Sequence, residues 1–511
     1  MARSSRYEPR SPAQGVLYQV VRDHYETFRT EAERACDGAG LPRFLQAEFE
    51  GFLRCGFLAG GFARFQCERC RHEHLLPFSS KARAICPSCG GRRMAERAAH
   101  LVDHVFPVVP VRQWVLTLPH RARYVLAWDH VLCRAVMRIF MTAVLGSLRR
   151  RARRTQGVAG GRSGAVVIVQ RFGSALNTNV HGHALVLDGV FAEEGADALR
   201  FHPAPPPTDD DMDAVLAAIR RRVRRLLARR GVLEEPGEAE GDDPWAAREP
   251  VLAGLTAASV QGRLALGPRA GAEVRRCGAS PVLAASAPSV RGPCHAHRAG
   301  FDRHAGLVVP ARDRARLERT CRYALRPPVA ADRLRLTETG QVLLALRQRW
   351  RDGTTHLLFD PIALLERLAA LTPRPRINLV LYYGVLAARA AWRPRLPCDG
   401  ARGGPAARPA PSTSGGTAGT WSPPADAPAR AARQRSNLRW AQLMARSFGY
   451  DVLACARCGG RLRLLVLIEQ ASLIARILTH LGLPTEVPAA RPPPRPSGTA
   501  SRWADDDLPA A

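Results

Sequence analysis

Two CxxC pairs, Cys67-Glu68-Arg69-Cys70 and Cys86-Pro87-Ser88-Cys89, constrain this chain more than any other stretch. Each pair can present two thiolates from one tight turn, and a zinc ion takes four such ligands in a tetrahedron. The 15 residues between the pairs sit at the lower edge of the spacing for a single four-cysteine site. Pro87 and Gly90-Gly91 supply turn-forming backbone beside the second pair. The reading is therefore one structural zinc on Cys67, Cys70, Cys86 and Cys89, with no corner left open for chemistry. His72, His74 and Cys55 lie close in sequence and could substitute for one of these ligands, but they read first as surface or outlying residues. A third pair, Cys455-x-x-Cys458-Gly459-Gly460, resembles another knuckle, but no fourth pair follows it. Half a zinc site, a redox pair and two ordinary thiols are all compatible with it. The thirteen cysteines are an odd number, which favours metal over a disulfide framework.

Charge narrows the partners. The 511 residues carry 75 Lys+Arg against 45 Asp+Glu, a net +30, and Lys81 is the only lysine. Part of the arginine excess reflects the codons of a GC-rich genome, since Ala, Gly and Pro are abundant as well. A surplus of this size still favours a polyanion, because basic side chains on phosphates release counterions. The polar opening MARSSRYEPR does not read as a signal peptide, and no uncharged stretch reaches the roughly 18 apolar residues of a spanning helix. A cytoplasmic protein without membrane partners is expected.

Length allows two or three domains. Residues 1–109 hold a polar helical start and the first two cysteine pairs. From Val111 the pattern becomes α/β. Gln113–Leu118 reads as a strand, Trp128–Arg154 as a long helix, and Ala165–Phe172 with Val180–Phe191 as a hairpin. Residues 198–298 read as a variable insertion carrying one basic helix, Met212–Arg230. Order returns with Gly306–Pro310, a helix over Asp313–Leu325 stopped by Pro327-Pro328, a further hairpin, and a helix over Leu364–Leu371. Residues 399–436 read as a flexible linker, 437–484 as a small C-terminal module, and 485–511 as a disordered tail.

His181-Gly182-His183 stands inside the strand-like run. Residues i and i+2 of a strand point to one face, so both imidazoles can grip one divalent ion and leave positions open for a phosphate. Spacing alone is weak support. Fifteen histidines predict about 0.4 such pairs by chance, and the chain has three, with His72-x-His74 and His295-x-His297. The strand context singles out His181 and His183.

The run LNTNVHGHALVLDGVF, with QRFG before it and CRYALRPP after it, resembles the rolling-circle transposases of the insertion-sequence ninety-one family, members of the HUH nucleases. FLRCG, the two front CxxC pairs and CPSCGGRRMAERAAHLVDHVFP are similar to that family's zinc-binding domain. WRDGTTH, RINLVLYYGVLA and CARCGGRLRLL extend the likeness. The resemblance implies an α/β (α+β) architecture: a zinc-ribbon-like module at 1–109, an HUH domain at 110–398 with an antiparallel sheet flanked by helices, and the small C-terminal module. It implies a transposase that cuts and rejoins single-stranded or hairpin DNA ends through a 5′-phosphotyrosine. The nucleophile matching the motif is Tyr323, assisted by Mg²⁺ or Mn²⁺ on His181 and His183. Gln170, on the preceding strand, is the candidate third ligand, and His304 a weaker one. Such chemistry conserves the energy of the cut, and the chain has no GxxxxGK[ST] for a nucleotide cofactor. Two departures stand out. Gly182 replaces the usual hydrophobic middle residue, and Arg319 occupies the place four before Tyr323 where some relatives carry a second tyrosine.

Two other readings use different chemistry. A tyrosine recombinase would use His120-x-x-Arg123 on a helical fold. A non-enzymatic zinc-dependent regulator would use the charge and the knuckles alone. Tyr382 and Tyr383 are alternative nucleophiles, although LVLYYGVL reads as a buried strand.

Overall fold

The computed structural model describes residues 11–194, 198–232, 243–279, 295–298, 300–397 and 440–493. The expected linker and the tail beyond residue 493 lie outside the described residues. The chain is a mixed helix and sheet structure with antiparallel sheets, as the motif order implies.

The central sheet runs in the order Val380–Gly384, Gly164–Phe172, Thr178–Leu187, Val111–Thr117, Phe301–His304, His295–Arg298, and every neighbour is antiparallel. Val308–Val309 also pairs with Val111–Thr117. Thr178–Leu187 carries the two histidines and is paired on both edges, and from Gly182 onward its residues are buried on both faces. Alternation along it then sorts side chains between two apolar layers. Ala184 and Val186 join Val167, Val169, Trp114 and Leu116 under the helix His130–Gln156. Leu185 and Leu187 join Val166, Ile168 and Val111 under the helices Pro87–His104 and Arg314–Leu325.

The helix His130–Gln156 is apolar and long enough to cross a membrane by composition. Its apolar residues Val136, Met137, Phe140, Val144 and Leu148 are instead buried on the sheet. It begins at Asp129, whose carboxylate accepts from Leu132 N, and stops at left-handed Gly157. Asp209–Arg229 starts with a capping box between Thr208 and Asp211 and packs on the same layer through Met212, Leu216, Ile219 and Val223. That helix is core structure, so the expected insertion is not a loose flank over its described residues.

The strand expected over Val180–Phe191 breaks at Asp188. Thr178–Leu187 stays in the central sheet, and Gly189–Glu194 forms a separate ribbon with Ala198–Pro203. The break has an electrostatic cause. Both carboxylate oxygens of Asp188 accept from Arg112, at 2.9 and 2.8 Å, and both side chains are buried. Arg112 also donates to Ala305 O. One ion pair thus ties three strands of the sheet together.

A third core joins the helices Val16–Arg34 and Arg43–Leu53 to Pro361–Leu371 and to a four-stranded sheet, Leu334–Leu336, Val342–Ala345, His356–Phe359 and Arg275–Cys277. This packing crosses residue 109, so the N-terminal helices share a core with the later part of the chain. The C-terminal segment likewise does not stand apart as a module. Leu462–Ile468 pairs with Phe62–Cys67, which pairs with Glu73–Pro77. Arg491 N donates to Arg22 O, and the Arg491 guanidinium lies 3.1 Å from Asp23, so residues up to 493 rest on the first helix.

Arg112→Ala strands a buried carboxylate, which typically costs about 3–5 kcal/mol. A large fall in the urea midpoint is expected, partly recovered in Arg112→Ala/Asp188→Ala. Equal midpoints for the parent and the single variant would refute this role.

Candidate active site and cysteine centres

The two histidines meet as alternation requires. His181 pairs with Gln170 on one neighbouring strand and with Thr117 on the other, while His183 pairs with Ile168 and Val115. Their Nε2 atoms lie 3.1 Å apart. Two nitrogens bound at about 2.1 Å to adjacent corners of an octahedral ion would sit about 3 Å apart, so the spacing of the pair fits a Mg²⁺- or Mn²⁺-type centre. His181 Nδ1 is held by Asn179 O at 2.9 Å, which leaves its Nε2 lone pair turned toward His183. Burial pushes the His181 imidazole down to about 4, with Arg326 and Arg123 pushing the same way and the Asn179 carbonyl opposing them. Burial also pushes His183 down to about 3, helped by His181 and Arg326. Both rings are therefore neutral near pH 7, the state in which a lone pair is free to ligate.

Gln170 shares this face. Its Nε2 donates to Ala324 O at 2.6 Å and Tyr323 O at 3.3 Å, two carbonyls left over where the helix Arg314–Leu325 ends. Its Oε1 is buried and has no hydrogen-bond partner. An orphaned acceptor beside two neutral imidazoles fits a third ligand position. The same side chain ties the histidine sheet to the helix that carries Tyr323.

Tyr323 is about half exposed, at 48%, and its ring meets His183 edge-on with centroids 5.9 Å apart. Arg326 stacks over the ring at 4.2 Å and donates to Tyr323 O. Arg319 is exposed on the same helix. Next to this group lies a cleft of about 330 Å³ lined by Arg83, Arg93, Arg97, Gln170, Arg326 and Asn378. It brings guanidinium groups from the zinc-side helix and from the end of the tyrosine helix to one opening.

Sequence reasoning missed Gln113. It is buried on Val111–Thr117, and its Nε2 donates to His183 Nδ1 at 3.0 Å. In this arrangement His183 carries its proton on Nε2 and donates it to His181. Turning the amide over would place the oxygen against Nδ1–H and free the His183 Nε2 lone pair for an ion. Gln113 was legible only as a polar interruption in an apolar strand.

Other candidates fall elsewhere. His304 is separated from the histidine strand by Val111–Thr117. Tyr382 and Tyr383 pair with Val166 and Ala165, toward the opposite end of the strand from Gln170. Burial pushes the Tyr383 phenol up to about 12. His120 bonds to Val260 O and Arg123 to Leu118 O, in a fold built on a sheet rather than the helices a tyrosine recombinase needs. The side chains of His295 and His297 lie outside the described residues.

The cysteines correct the expected grouping. Cys67, Cys70, Cys86 and Cys89 do not form one site. Cys67 and Cys70 cluster with Cys455 and Cys458, while Cys86 and Cys89 cluster with Cys55. The reason is topological: Cys86 caps the helix Pro87–His104 and is drawn into the core with Cys55, whereas Cys67 ends a strand of the small sheet. In the three-cysteine cluster, Cys55 Sγ lies 3.6 Å from both Cys86 Sγ and Cys89 Sγ, and Ser80 Oγ lies 3.6 Å from Cys89 Sγ. Zinc–sulfur bonds of 2.3 Å place tetrahedral sulfurs about 3.8 Å apart, so these spacings fit structural zinc.

Gly182 has a packing reason. A Cβ there would meet Met137 Sδ at 2.7 Å, because residue 182 faces the long helix rather than the tyrosine. Gly182→Ala is expected to be tolerated by a small shift of the flexible thioether. Gly182→Val should overpack the layer by about 1–3 kcal/mol, with Met137→Ala recovering part of the loss. Thermal melts of the three variants check this, and a Gly182→Val melt equal to the parent's would contradict it.

Comparison with known families gives two matches. Residues 164–393 match the family described as "Putative transposase". Residues 20–118 match the transposase zinc-binding domain of insertion-sequence ninety-one elements. No curated protein and no solved structure matches the chain.

Proposed function

The chain belongs to the insertion-sequence ninety-one family of transposases, enzymes acting on DNA, and from that premise we propose that it cuts and rejoins single-stranded DNA at element ends with Tyr323 as nucleophile. The observation that carries this reading is the meeting of one hairpin with a tyrosine from a distant part of the sequence. His181 and His183 on the central strand, Gln170 beside them and Tyr323 on the helix above share one face.

A Mg²⁺ or Mn²⁺ ion held by His181, His183 and the free Gln170 Oε1 would polarise the scissile phosphate and steady the charge that develops on it. Tyr323 is exposed enough to reach a strand, and Arg326 holds its ring edge-on to His183. Its phenolic oxygen, losing its proton to water, attacks phosphorus. The bond to the 3′-oxygen breaks, leaving a 3′-hydroxyl and a 5′-phosphotyrosine that a second 3′-hydroxyl can later attack. The arginines of the adjoining cleft would guide the strand by its phosphates. No nucleotide is consumed in this scheme.

Full-length protein incubated with single-stranded oligonucleotides and Mg²⁺ should give an adduct that survives denaturing electrophoresis and is lost in Tyr323→Phe. His183→Ala should lower its yield by about 10²-fold or more. DNA binding with no adduct from the parent under Mg²⁺ or Mn²⁺ would leave the zinc-dependent DNA-binding reading in its place. A 3′-phosphotyrosine linkage would point to recombinase-type chemistry.

A further inference from the structure

We propose that Cys67, Cys70, Cys455 and Cys458 form one zinc site assembled from the two ends of the chain, and that this zinc fastens the C-terminal arm across the helix bearing Tyr323. The assignment rests on the cysteine geometry and not on the nucleolytic reading.

The two CxxC pairs have the same local structure. Cys67 N donates to His72 O at 2.8 Å, and Cys455 N donates to Gly460 O at 2.7 Å, each closing a turn across five residues. Each turn has its left-handed residue four places after the first cysteine, Arg71 at φ 56° and Gly459 at φ 70°. Amides of Arg457 and Gly460 point at Cys455 Sγ and Cys458 Sγ, both at 3.4 Å, as they would toward thiolates. The turns face one another with Cys67 Sγ 3.5 Å from Cys458 Sγ and Cys70 Sγ 3.7 Å from Cys455 Sγ. These are close to the edges of a zinc–thiolate tetrahedron, about 3.8 Å, and far too long for disulfides. Gly460 permits the approach: a Cβ there would sit 3.0 Å from Arg69 Cβ and 3.1 Å from Cys67 Sγ. Cys67 and Cys458 are 391 residues apart, joined otherwise by the pairing of Phe62–Cys67 with Leu462–Ile468.

The same arm reaches the catalytic helix. Arg446 bridges Asp103, at the end of the helix Pro87–His104, and Glu318, on the helix Arg314–Leu325, with contacts from 2.5 to 3.1 Å. Arg322 donates to Ser447 O and pairs with Glu318. Tyr323 follows Arg322 directly. The arm is therefore held at two points, the cysteine knuckle and the Arg446 network. The first of these would contribute metal–ligand bonds, and the second contributes ion pairs from a partly exposed Arg446 to the partly exposed Asp103 and the buried Glu318.

The test uses full-length protein. Zinc content by atomic emission should fall by one ion per chain in Cys455→Ser/Cys458→Ser, with far-UV circular dichroism retained. In that variant, amide exchange over Leu462–Ile468 should accelerate at least tenfold, while Thr178–Leu187 stays protected. Wild-type protein gives a readout that needs no variant. Cys455 and Cys458 should resist alkylation until a chelator is added, and then react together with Cys67 and Cys70. An unchanged zinc count in the double variant, or Cys455 and Cys458 alkylated freely in zinc-loaded wild type, overturns the shared site. Zinc loss without faster exchange overturns the fastening.

Discussion

Two-sided burial of the strand Thr178–Leu187 is the constraint on which the site depends. Strands on both edges fix its backbone, and helical layers on both faces leave no freedom in its register. A one-residue slip would drive His181 and His183 into Met137 and Val167 and push Gly182 toward the tyrosine. The Arg112–Asp188 pair at the end of the strand and the two bonds from Thr178 to Ser259 Oγ at its start oppose such a slip from both ends. Alternation in a clamped strand is what turns a three-residue motif into two convergent nitrogens.

The cost of that arrangement is a set of polar groups in an apolar layer, and neighbouring protein groups meet it. Asn179 O, Gln113 and Gln170 each serve one histidine or the tyrosine helix. Burial holds both imidazoles neutral, which suits ligation and avoids two positive charges in contact. Arg326 supplies positive charge at the rim, stacked on Tyr323 and Phe172. The zinc-side helix presses on the same region. Gly90 lies so close to Pro327 that a Cβ would sit 2.8 Å from the proline ring. The cysteine centres are therefore mechanically continuous with the end of the tyrosine helix.

Local pattern made much of this legible. The strands around Gln113 and Ala165, the long helix after Trp128, the helix from Asp313 and its stop at Pro327 are all short-range signals, and each element lies within a few residues of its expected position. Asp188 was different: its charge broke a strand because a partner from a distant strand, Arg112, waited for it. Gln113 stayed invisible for the same reason, since its value lies in facing His183 across a strand pair. The pairing of the C-terminal arm with the strand Phe62–Cys67 was hidden in the same way, since the two strands lie at opposite ends of the chain.

The cysteines mark the boundary between the two kinds of information. By itself the sequence determined that thiolates would come in CxxC turns, since that spacing is a property of one knuckle. It also determined that two histidines would share a face, since a strand has a period of two. Only the tertiary structure decided which knuckles meet. Cys86 and Cys89 open a helix that packs against Cys55, while Cys67 and Cys70 end a strand whose partner brings Cys455 and Cys458. A metal centre needs its ligands near one point, and nearness across hundreds of residues is set by sheet pairing and core packing, not by distance along the chain.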